Sequence, residues 1–284
     1  MAAIAPIRPS PIAGTWYEGN ARALANAVDR YLDQAELPEL PGDIVAVIAP
    51  HAGHIYSGPV AGYAFAAVRG RTPDVVAVLS PMHQAYAENF LTTAHSAYET
   101  PLGPVSVDRE LVATLDARLT EDLGYGLAPV AYDREHSLEI ELPFLQQALA
   151  SDFTLLPVMV RAQSAAISRK LGAAIAEVVG GRNALVVAST DLSHFYTQQQ
   201  AVTFDTEMLR RIEAFAPDEV FCAEKEGKGF ACGLGALVAT LWAAKDLGAD
   251  TVKVLRHATS GDVTGDYSSV VGYGAAIALK TGSD

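Results

Sequence analysis

Short, uncharged runs rich in Val, Ile and Leu recur along the first two thirds of the chain. They cover residues 44–49, 75–79, 153–160 and 184–188. Continuous apolar runs of this length are typical of strands buried on both faces, as in a parallel sheet. Other stretches carry apolar residues at helical spacing, namely 21–35, 60–68, 109–119, 135–149, 164–179, 201–215 and 232–247. This alternation of strands and helices predicts an α/β fold.

The C-terminal part of the chain has a different pattern. Residues 251–257 and 268–279 have the composition of strands, and the turn-forming residues 260–266 separate them. This order predicts a terminal hairpin on a mixed sheet. We therefore predict a mixed, largely parallel central sheet with helices on both faces. Because no fixed repeat, low-complexity tract or long linker interrupts the sequence, we expect one domain over residues 1–284.

Composition narrows the classes of partner. The chain has 284 residues, with 20 Lys and Arg against 33 Asp and Glu, and half of its residues are hydrophobic. This hydrophobic content argues against a disordered chain. A net charge of -13 argues against nucleic acid and against anionic lipid as partners. The longest nearly apolar run, 231–244, is shorter than the ~20 residues of a membrane span, and the N-terminal pattern is not that of a signal peptide. We expect a cytoplasmic protein.

Polar side chains follow three of the predicted strands. His51 comes after the first, His83 after the second, and Asp191 and His194 after the last. Because the carboxyl ends of parallel strands meet at one edge of a sheet, we expect these side chains to converge. Imidazole is the commonest metal ligand and a natural general base near neutral pH. A lone histidine of this kind favours a structural role, whereas histidines at three strand ends favour a functional site. His54 is expected outside the metal-binding set.

Cys232 and His136 are further candidates. Cys232 directly precedes an apolar helical pattern, where a helix dipole would lower the pKa of its thiol. A thiolate with two imidazoles can hold iron, copper or zinc, and the structural alternative is a buried cysteine that fills a gap between helix and sheet. Cys222 is assigned that structural role. His136, at the start of a predicted helix, is a candidate proton donor at the same edge, although acidic residues beside it also suit the helix dipole.

The motifs that carry the best-known nucleotide and hydrolase chemistries do not occur. The sequence has no G-x-x-x-x-G-K-[ST] phosphate loop, no G-x-G-x-x-G, no G-x-S-x-G and no H-E-x-x-H. A P-loop, a dinucleotide fingerprint, a nucleophile elbow and a zincin helix are therefore not expected.

A series of short motifs spans nearly the whole chain, namely Gly14-Thr15-Trp16-Tyr17, Pro50-His51-Ala52-Gly53, Ser57-Gly58, Ser80-Pro81-Met82-His83, the segment 99–103, Glu135-His136-Ser137-Leu138-Glu139, Leu142-Pro143-Phe144-Leu145, the segment 189–194, Cys232-Gly233 and Ser260-Gly261-Asp262. Through these motifs the chain resembles the Memo family, which is related to class III extradiol ring-cleaving dioxygenases. In prokaryotes such proteins are similar to protein B of the AmmeMemoRadiSam system. Its other parts are an AMMECR-type protein and a radical SAM enzyme.

The resemblance implies a dioxygenase-like α/β fold with a metal pocket. By the family pattern His51, His83 and Cys232 are the metal ligands. Fe(II) is the first expectation, with copper or zinc as alternatives, because a cysteine in place of the carboxylate of ring-cleaving relatives softens the ligand set. His54 replaces the tyrosine usual after the Pro-His-Ala-Gly motif.

The resemblance also implies residues around the metal. Asp191 and His194 line the same pocket with His136 near it, and Trp16 and Tyr17 form part of the wall. We expect His194, oriented by Asp191, to act as general base or acid.

Two functions follow from the resemblance as hypotheses. The first is a non-haem metal-dependent, dioxygenase-like oxidoreductase that acts on a small aromatic molecule or a peptide group. The alternative is a non-catalytic binding or maturation partner with a vestigial metal pocket, which recognises a peptide or phosphopeptide or belongs to a radical SAM system. A phosphate ligand requires clustered arginines, and the candidate arginines are scattered along the chain.

Overall fold

The structure is a computed structural model that describes residues 4–282. Its strands are β1 Ile7–Arg8, β2 Asp43–Ala49, β3 Val75–Pro81, β4 Phe90–Thr93, β5 Ala97–Tyr98, β6 Val105–Ser106, β7 Ala128–Val130, β8 Thr154–Val160, β9 Ala184–Ser189, β10 His194–Tyr196, β11 Thr251–Thr259 and β12 Val270–Lys280. Its helices are α1 Ala21–Asp33, α2 His54–Ala66, α3 Arg109–Leu123, α4 Leu142–Ala148, α5 Ala165–Val179, α6 Gln198–Glu213, α7 Pro217–Lys225, α8 Leu234–Asp246 and α9 Gly261–Thr264, and a 3-10 turn spans Glu139–Glu141.

In the described residues, nine strands form one mixed sheet. Its order is β10-β12-β2-β9-β3-β8-β4-β7, and β11 also pairs with β12. The central strands β2, β9, β3 and β8 are mutually parallel, whereas β12 is antiparallel to β2, β10 and β11. The predicted mixed, largely parallel sheet and its terminal hairpin are therefore confirmed.

The apolar runs form the centre of the core because both of their faces are covered. Every side chain of β3 is buried, and β8 and β9 are buried beyond their first residue. Helix α8 packs against β3 and β9 and contacts α5, while α2 packs against β2 and β12 and contacts α1. A strand buried on both faces gains more from apolar burial than an edge strand, which is why these runs were visible in the sequence.

Close helix packing depends on glycines. A Cβ on Gly62 of α2 would lie 2.4 Å from the carbonyl oxygen of Tyr31 in α1, and one on Gly172 of α5 would lie 2.5 Å from the carbonyl oxygen of Ala239 in α8. Both distances are too short for any larger residue unless a helix moves.

Some boundaries differ from the predicted ones. The helix expected from residue 135 begins at Leu142, after the 3-10 turn, because residues 133–138 form a loop whose polar groups bond to distant parts of the chain. Helix α2 begins at His54, earlier than predicted, and contains Pro59. Within residues 4–282, no helix combines the length and the apolar character that a membrane crossing requires. The one-domain organisation stays a prediction.

Candidate metal centre

Three histidines come together at the carboxyl edge of the parallel strands. His51 follows β2, His83 follows β3, and His136 lies in the loop before the 3-10 turn. The ring centroid of His51 lies 5.3 Å from that of His83 and 5.5 Å from that of His136. The rings of His83 and His136 are stacked, with their centroids 4.9 Å apart. One nitrogen of each ring lies within 4.8 Å of the other two. We call these residues the three-histidine cluster.

A buried carboxylate orients one member of the cluster. Glu135 Oε1 accepts a hydrogen bond from His83 Nδ1 at 2.9 Å, and Oε2 accepts one from the His83 backbone N–H at 2.6 Å. The same carboxylate accepts from the backbone N–H groups of His136 and Ser137. With Nδ1 engaged as a donor, the His83 Nε2 lone pair is free to bind a metal, which is the usual arrangement of metal-binding histidines.

A second hydrogen-bond chain orients His51. Its Nδ1 lies 3.0 Å from Ser189 Oγ, which also lies 2.6 Å from the Ser137 carbonyl oxygen and 2.5 Å from Glu141 Oε1. A carbonyl oxygen only accepts, so the Ser189 hydroxyl donates to Ser137. Its oxygen then accepts from His51 Nδ1–H and from a protonated Glu141. Burial raises the pKa of Glu141 well above its ordinary value, which fits that protonated state. His51 therefore offers Nε2.

The electrostatics of the three rings differ. Burial, with the neighbouring His136 and His83, lowers the pKa of His51 well below 6.5. Burial also lowers the pKa of His136 to about 4, although the Glu135 charge opposes the shift. For His83 burial is outweighed by the hydrogen bond and charge of Glu135, so its pKa rises. His51 and His136 are neutral near pH 7, the state in which imidazole binds a metal.

Cys232 lies beside the cluster without being a member of it. Its Sγ is 3.1 Å from His51 Nε2 and accepts a hydrogen bond from the Asp191 backbone N–H at 3.2 Å. Burial, with the Asp191 charge, raises the pKa of this thiol. The prediction that the helix dipole lowers the pKa of this thiol is wrong. Cys232 precedes the first helical residue, Leu234, by two positions, and the effect of burial on its pKa is larger. Its role as a ligand stays a prediction.

Asp191 and His194 bond to different partners. Asp191 Oδ1 accepts from the His51 backbone N–H at 2.8 Å, and burial raises its pKa to about 7 against the hydrogen bonds from His51 and Ala52. His194 Nδ1 lies 2.8 Å from the Leu192 carbonyl oxygen, to which it donates. The Asp191 carboxylate therefore positions the His51 backbone rather than the His194 ring. His194 and Cys232 line a neighbouring cavity of about 240 Å³. The catalytic roles predicted for Asp191, His194 and His136 stay predictions.

Trp16 and Tyr17, although adjacent in sequence, contact different parts of the site. The Trp16 ring lies 4.1 Å from the His136 ring and is partly exposed, so it covers the cluster on one side. Tyr17 is buried, and its hydroxyl donates to Glu139 Oε1 at 2.7 Å. It packs against His54, and the Nε2 of His54 lies 3.0 Å from the Ile140 carbonyl oxygen. His54 is not one of the clustered histidines.

Comparison with known proteins decides the family. The Memo-like protein family matches residues 8–277 of this chain. The chain belongs to the Memo family. A MEMO1 family protein of Nitrosopumilus maritimus is 34% identical over 95% of this chain and 98% of its own length. Those of Methanopyrus kandleri and Methanothermobacter thermautotrophicus are 34% and 36% identical, over 97% and 94% of this chain and 99% and 98% of their own lengths. The crystal structure of an uncharacterized Escherichia coli K12 protein covers 83% of this chain and 100% of its own, with 12% identity and a TM-score of 0.47.

In this Memo family chain, sequence reasoning missed two supporting residues. Glu135 is one of the acidic residues beside His136 that suit the helix dipole, and the sequence pattern gives Ser189 no role. Glu135 supports His83, which is more than 50 positions away in the sequence, and Ser189 supports His51, which is more than 130 positions away. The available signal was position alone, since Ser189 ends a parallel strand next to β2 and Glu135 adjoins a candidate histidine.

An open cleft lies next to the cluster, with a volume of about 500 Å³. Its apolar lining includes Trp16, Ile55, Tyr56, Phe195 and Tyr273. Ala52 and Gly53, which directly follow His51, also line it, as do the hydroxyl-bearing residues Thr15, Ser260, Thr264 and Ser269 and the carboxylate of Asp266. We call this space the aromatic cleft. Its size suits a small molecule.

Proposed function

We propose that this protein binds a divalent metal through His51, His83 and His136. We propose further that it is a non-haem metal-dependent oxidoreductase, which acts on a small aromatic molecule or a peptide group in the aromatic cleft. The observation that carries the proposal is the mutual approach of three ring nitrogens within 4.8 Å. Two of the rings engage Nδ1 in hydrogen bonds, which leaves Nε2 as the candidate ligand atom, and the Nε2 of His51 lies 3.1 Å from Cys232 Sγ.

The donor set fits a first-row divalent metal. Three imidazoles suit iron, copper and zinc, and Fe(II) is the metal we propose first. When bound, such a metal supplies Lewis acidity and, for iron or copper, redox chemistry. The protein fixes the rings through Glu135 and through the pair of Ser189 and Glu141. Trp16 shields one side of the cluster from water, and the aromatic cleft holds the reacting molecule beside it.

Metal content tests which side chains are ligands. The protein is purified without air, loaded in turn with Fe(II), Cu(II) and Zn(II), and analysed for bound metal after desalting. We expect His51→Ala, His83→Ala and His136→Ala each to lose the metal, because each removes one imidazole. His194→Ala is the matched control and is expected to keep it. Cys232→Ser separates the two ligand sets: if it loses the metal while His136→Ala keeps it, the cysteine set predicted from the sequence is correct and ours is wrong.

Oxygen consumption tests the reaction class. The iron-loaded protein is mixed with catechols that differ in side chain, and O₂ uptake and ring-cleavage products are followed. We expect uptake that depends on both metal and catechol and that disappears in the His136→Ala variant. Stoichiometric metal without any turnover would contradict the oxidoreductase proposal and leave the metal site intact.

A non-catalytic binding or maturation role is the second candidate. The observation that favours it is the exposed rim of the aromatic cleft, where Ile55 is 63% and Phe195 is 75% exposed. Such a rim suits a protein segment as well as a small molecule. Titration with purified AMMECR-type and radical SAM proteins tests this role, and an Ile55→Ser, Phe195→Ser double variant is expected to weaken any complex. Unchanged affinity in that variant would count against it.

A further inference from the structure

The aromatic cleft concentrates exposed apolar side chains. Trp16 and Tyr56 are 38% and 41% exposed and contribute to the same opening as Ile55 and Phe195. Single exposed apolar residues are ordinary on a protein surface, but a group of them around one cavity marks a binding site. The aromatic rings among them offer electron-rich faces, which attract organic cations.

The charge of the cleft has one sign. Among the described residues that line it, Asp266 alone carries a charged side chain, and no Lys, Arg or His is present. Asp266 Oδ1 accepts from the backbone N–H and the hydroxyl of Ser268, at 2.9 and 2.7 Å, and these hydrogen bonds lower its pKa and keep it ionised. The chain as a whole carries -13. This field attracts cations and repels anions.

Phe195 is placed at the cleft at a conformational cost. Its φ is +64°, in the left-handed region that residues other than glycine avoid. The pairing of β10 with β12 shifts register between His194 and Tyr196, on either side of it. Such irregularities re-aim a side chain. Here the ring is 75% exposed and lies outside the hydrophobic core, so core packing does not account for the strained backbone, which presents the ring at the cleft.

We propose that the aromatic cleft binds molecules that carry an organic ammonium group on an apolar or aromatic body, and that it discriminates against anionic analogues of the same shape. The aromatic rings hold the body and face the ammonium group, Asp266 supplies the opposite charge, and the hydroxyl groups of the lining satisfy polar substituents. This inference names the ligand class of the proposed function and rests on it only for the location beside the three-histidine cluster, because binding in the cleft needs no metal.

Three probes of nearly equal shape test the charge preference. Tyramine, 4-hydroxyphenylethanol and 4-hydroxyphenylacetate share a phenol and differ in carrying a positive, no or negative charge. Their affinities for the metal-free protein are measured at pH 7 by calorimetry and by quenching of tryptophan fluorescence. We expect tyramine to bind about 5–50-fold tighter than the acid, with the neutral alcohol between them. Equal affinities, a tighter acid, or no binding of any probe at millimolar concentration would overturn the proposal.

Matched variants assign the preference to the cleft. Asp266→Lys is expected to weaken tyramine binding and to reduce or reverse its advantage over the acid. Asp152→Lys changes the net charge equally at an exposed position outside the cleft and is expected to leave the ratio unchanged. If both variants shift the ratio alike, the preference belongs to the whole molecule and the proposal fails.

Phe195→Gly separates binding from folding. Glycine relieves the positive φ, so the variant is expected to be at least as resistant to denaturant as the parent while tyramine affinity falls several-fold. Unchanged affinity would remove Phe195 from the site. Metal binding is measured separately on the parent and on each variant. A parent protein that binds metal but shows no preference for tyramine would overturn this inference without affecting the proposed metal centre.

Discussion

At the scale of single residues, two buried carboxyl groups beside the cluster act in opposite protonation states. Glu135 accepts four hydrogen bonds, two of them from His83. Burial opposes its charge, but the hydrogen bond and charge of His83, with the Ser137 backbone N–H and the nearby His136, together hold its pKa below the ordinary value. Glu141 has one hydroxyl partner, Ser189, and burial keeps it protonated. The first group needs its charge, whereas the second needs its proton.

This difference predicts unequal effects of isosteric substitutions. We expect Glu135→Gln to lower metal affinity by about 10–100-fold, because the neutral amide no longer orients His83 as an ionised acceptor does. Glu141→Gln keeps a donor toward Ser189 and is expected to change metal affinity little. Competition with a chelator of known affinity measures both. Equal losses in the two variants would show that the carboxyl groups do not have the different roles assigned to them.

His54 sets a pH dependence away from the cluster. It is packed between Tyr17 and Phe144, its Nδ1 has no partner among the described residues, and burial lowers its pKa from 6.5 to about 4. Burial also raises the pKa of Tyr17, which stays uncharged. Between pH 6.5 and about 4, His54 binds a proton in the unfolded chain but not in the folded chain. Stability is therefore lost as the pH falls from about 6.5 to about 4, by roughly 2–3 kcal/mol in the linkage relation.

The matched variant is His54→Gln, whose amide nitrogen replaces Nε2 as donor to the Ile140 carbonyl. We expect the free energy of unfolding to decline less between pH 6.5 and 4.5 than in the parent. Urea denaturation at several pH values measures the difference. A parallel decline in both proteins would mean that His54 does not contribute to acid sensitivity.

At the scale of elements, the contact between α5 and α8 is set by Gly172. A Cβ at this position would also lie 2.7 Å from Trp242 Cβ. Alanine favours a helix over glycine by about 1 kcal/mol, but overpacking typically costs about 1–3 kcal/mol. We expect Gly172→Ala to be destabilised in urea denaturation, with Ala173→Ser, on the exposed side of the same helix, close to the parent. A Gly172→Ala protein more stable than the parent would show that α5 and α8 can shift apart enough to fit a Cβ without a loss of stability.

The elements also show what the sequence could and could not predict. The central strands were predictable because an uninterrupted apolar run has one favourable environment, a strand covered on both faces. The short strands β4 to β7 and β10 lack this signature, and the helix predicted over residues 135–149 includes the loop residues 135–138. Their non-helical path depends on Arg8, which lies 125 positions from Asp133, and on the side chain of His83. A local pattern carries no information on such partners. His51 and His83 were predicted from strand ends, whereas the place of His136 in the cluster depended on that loop.

At the scale of the whole molecule, Arg8 joins β1 to the loop that carries the cluster. Its guanidinium contacts Asp133 at 2.7 Å, Glu139 at 2.5 Å and the Glu135 carbonyl oxygen at 2.7 Å, and all three side chains are buried. Burial opposes the charge, but the hydrogen bonds that the guanidinium donates to Asp133 and the nearby carboxylates raise the pKa of Arg8. The arginine therefore supports both the fold and the position of Glu135.

Removal of one partner from this group is expected to be costly. Arg8→Met leaves two buried carboxylates without their cation and is expected to lower the free energy of unfolding by about 3–5 kcal/mol. The control is Arg69→Met, which breaks the exposed ion pair with Asp33 and is expected to cost less than about 1 kcal/mol. Chemical denaturation measures both, and similar losses would contradict the importance of burial. Metal affinity in Arg8→Met is expected to fall as well, because Glu135 loses its support.

The long sequence separations within the site have a consequence in time. Cys232 and His51 are 181 positions apart, and Arg8 and Asp133 are 125 apart, so these contacts form only after large loops close. Local helices such as α1 and α5 have no such requirement. During refolding from urea, the far-ultraviolet helical signal should recover before the capacity to capture zinc from a chromogenic chelator. A nascent or partly refolded chain would thus hold most of its secondary structure while still being unable to sequester a metal ion.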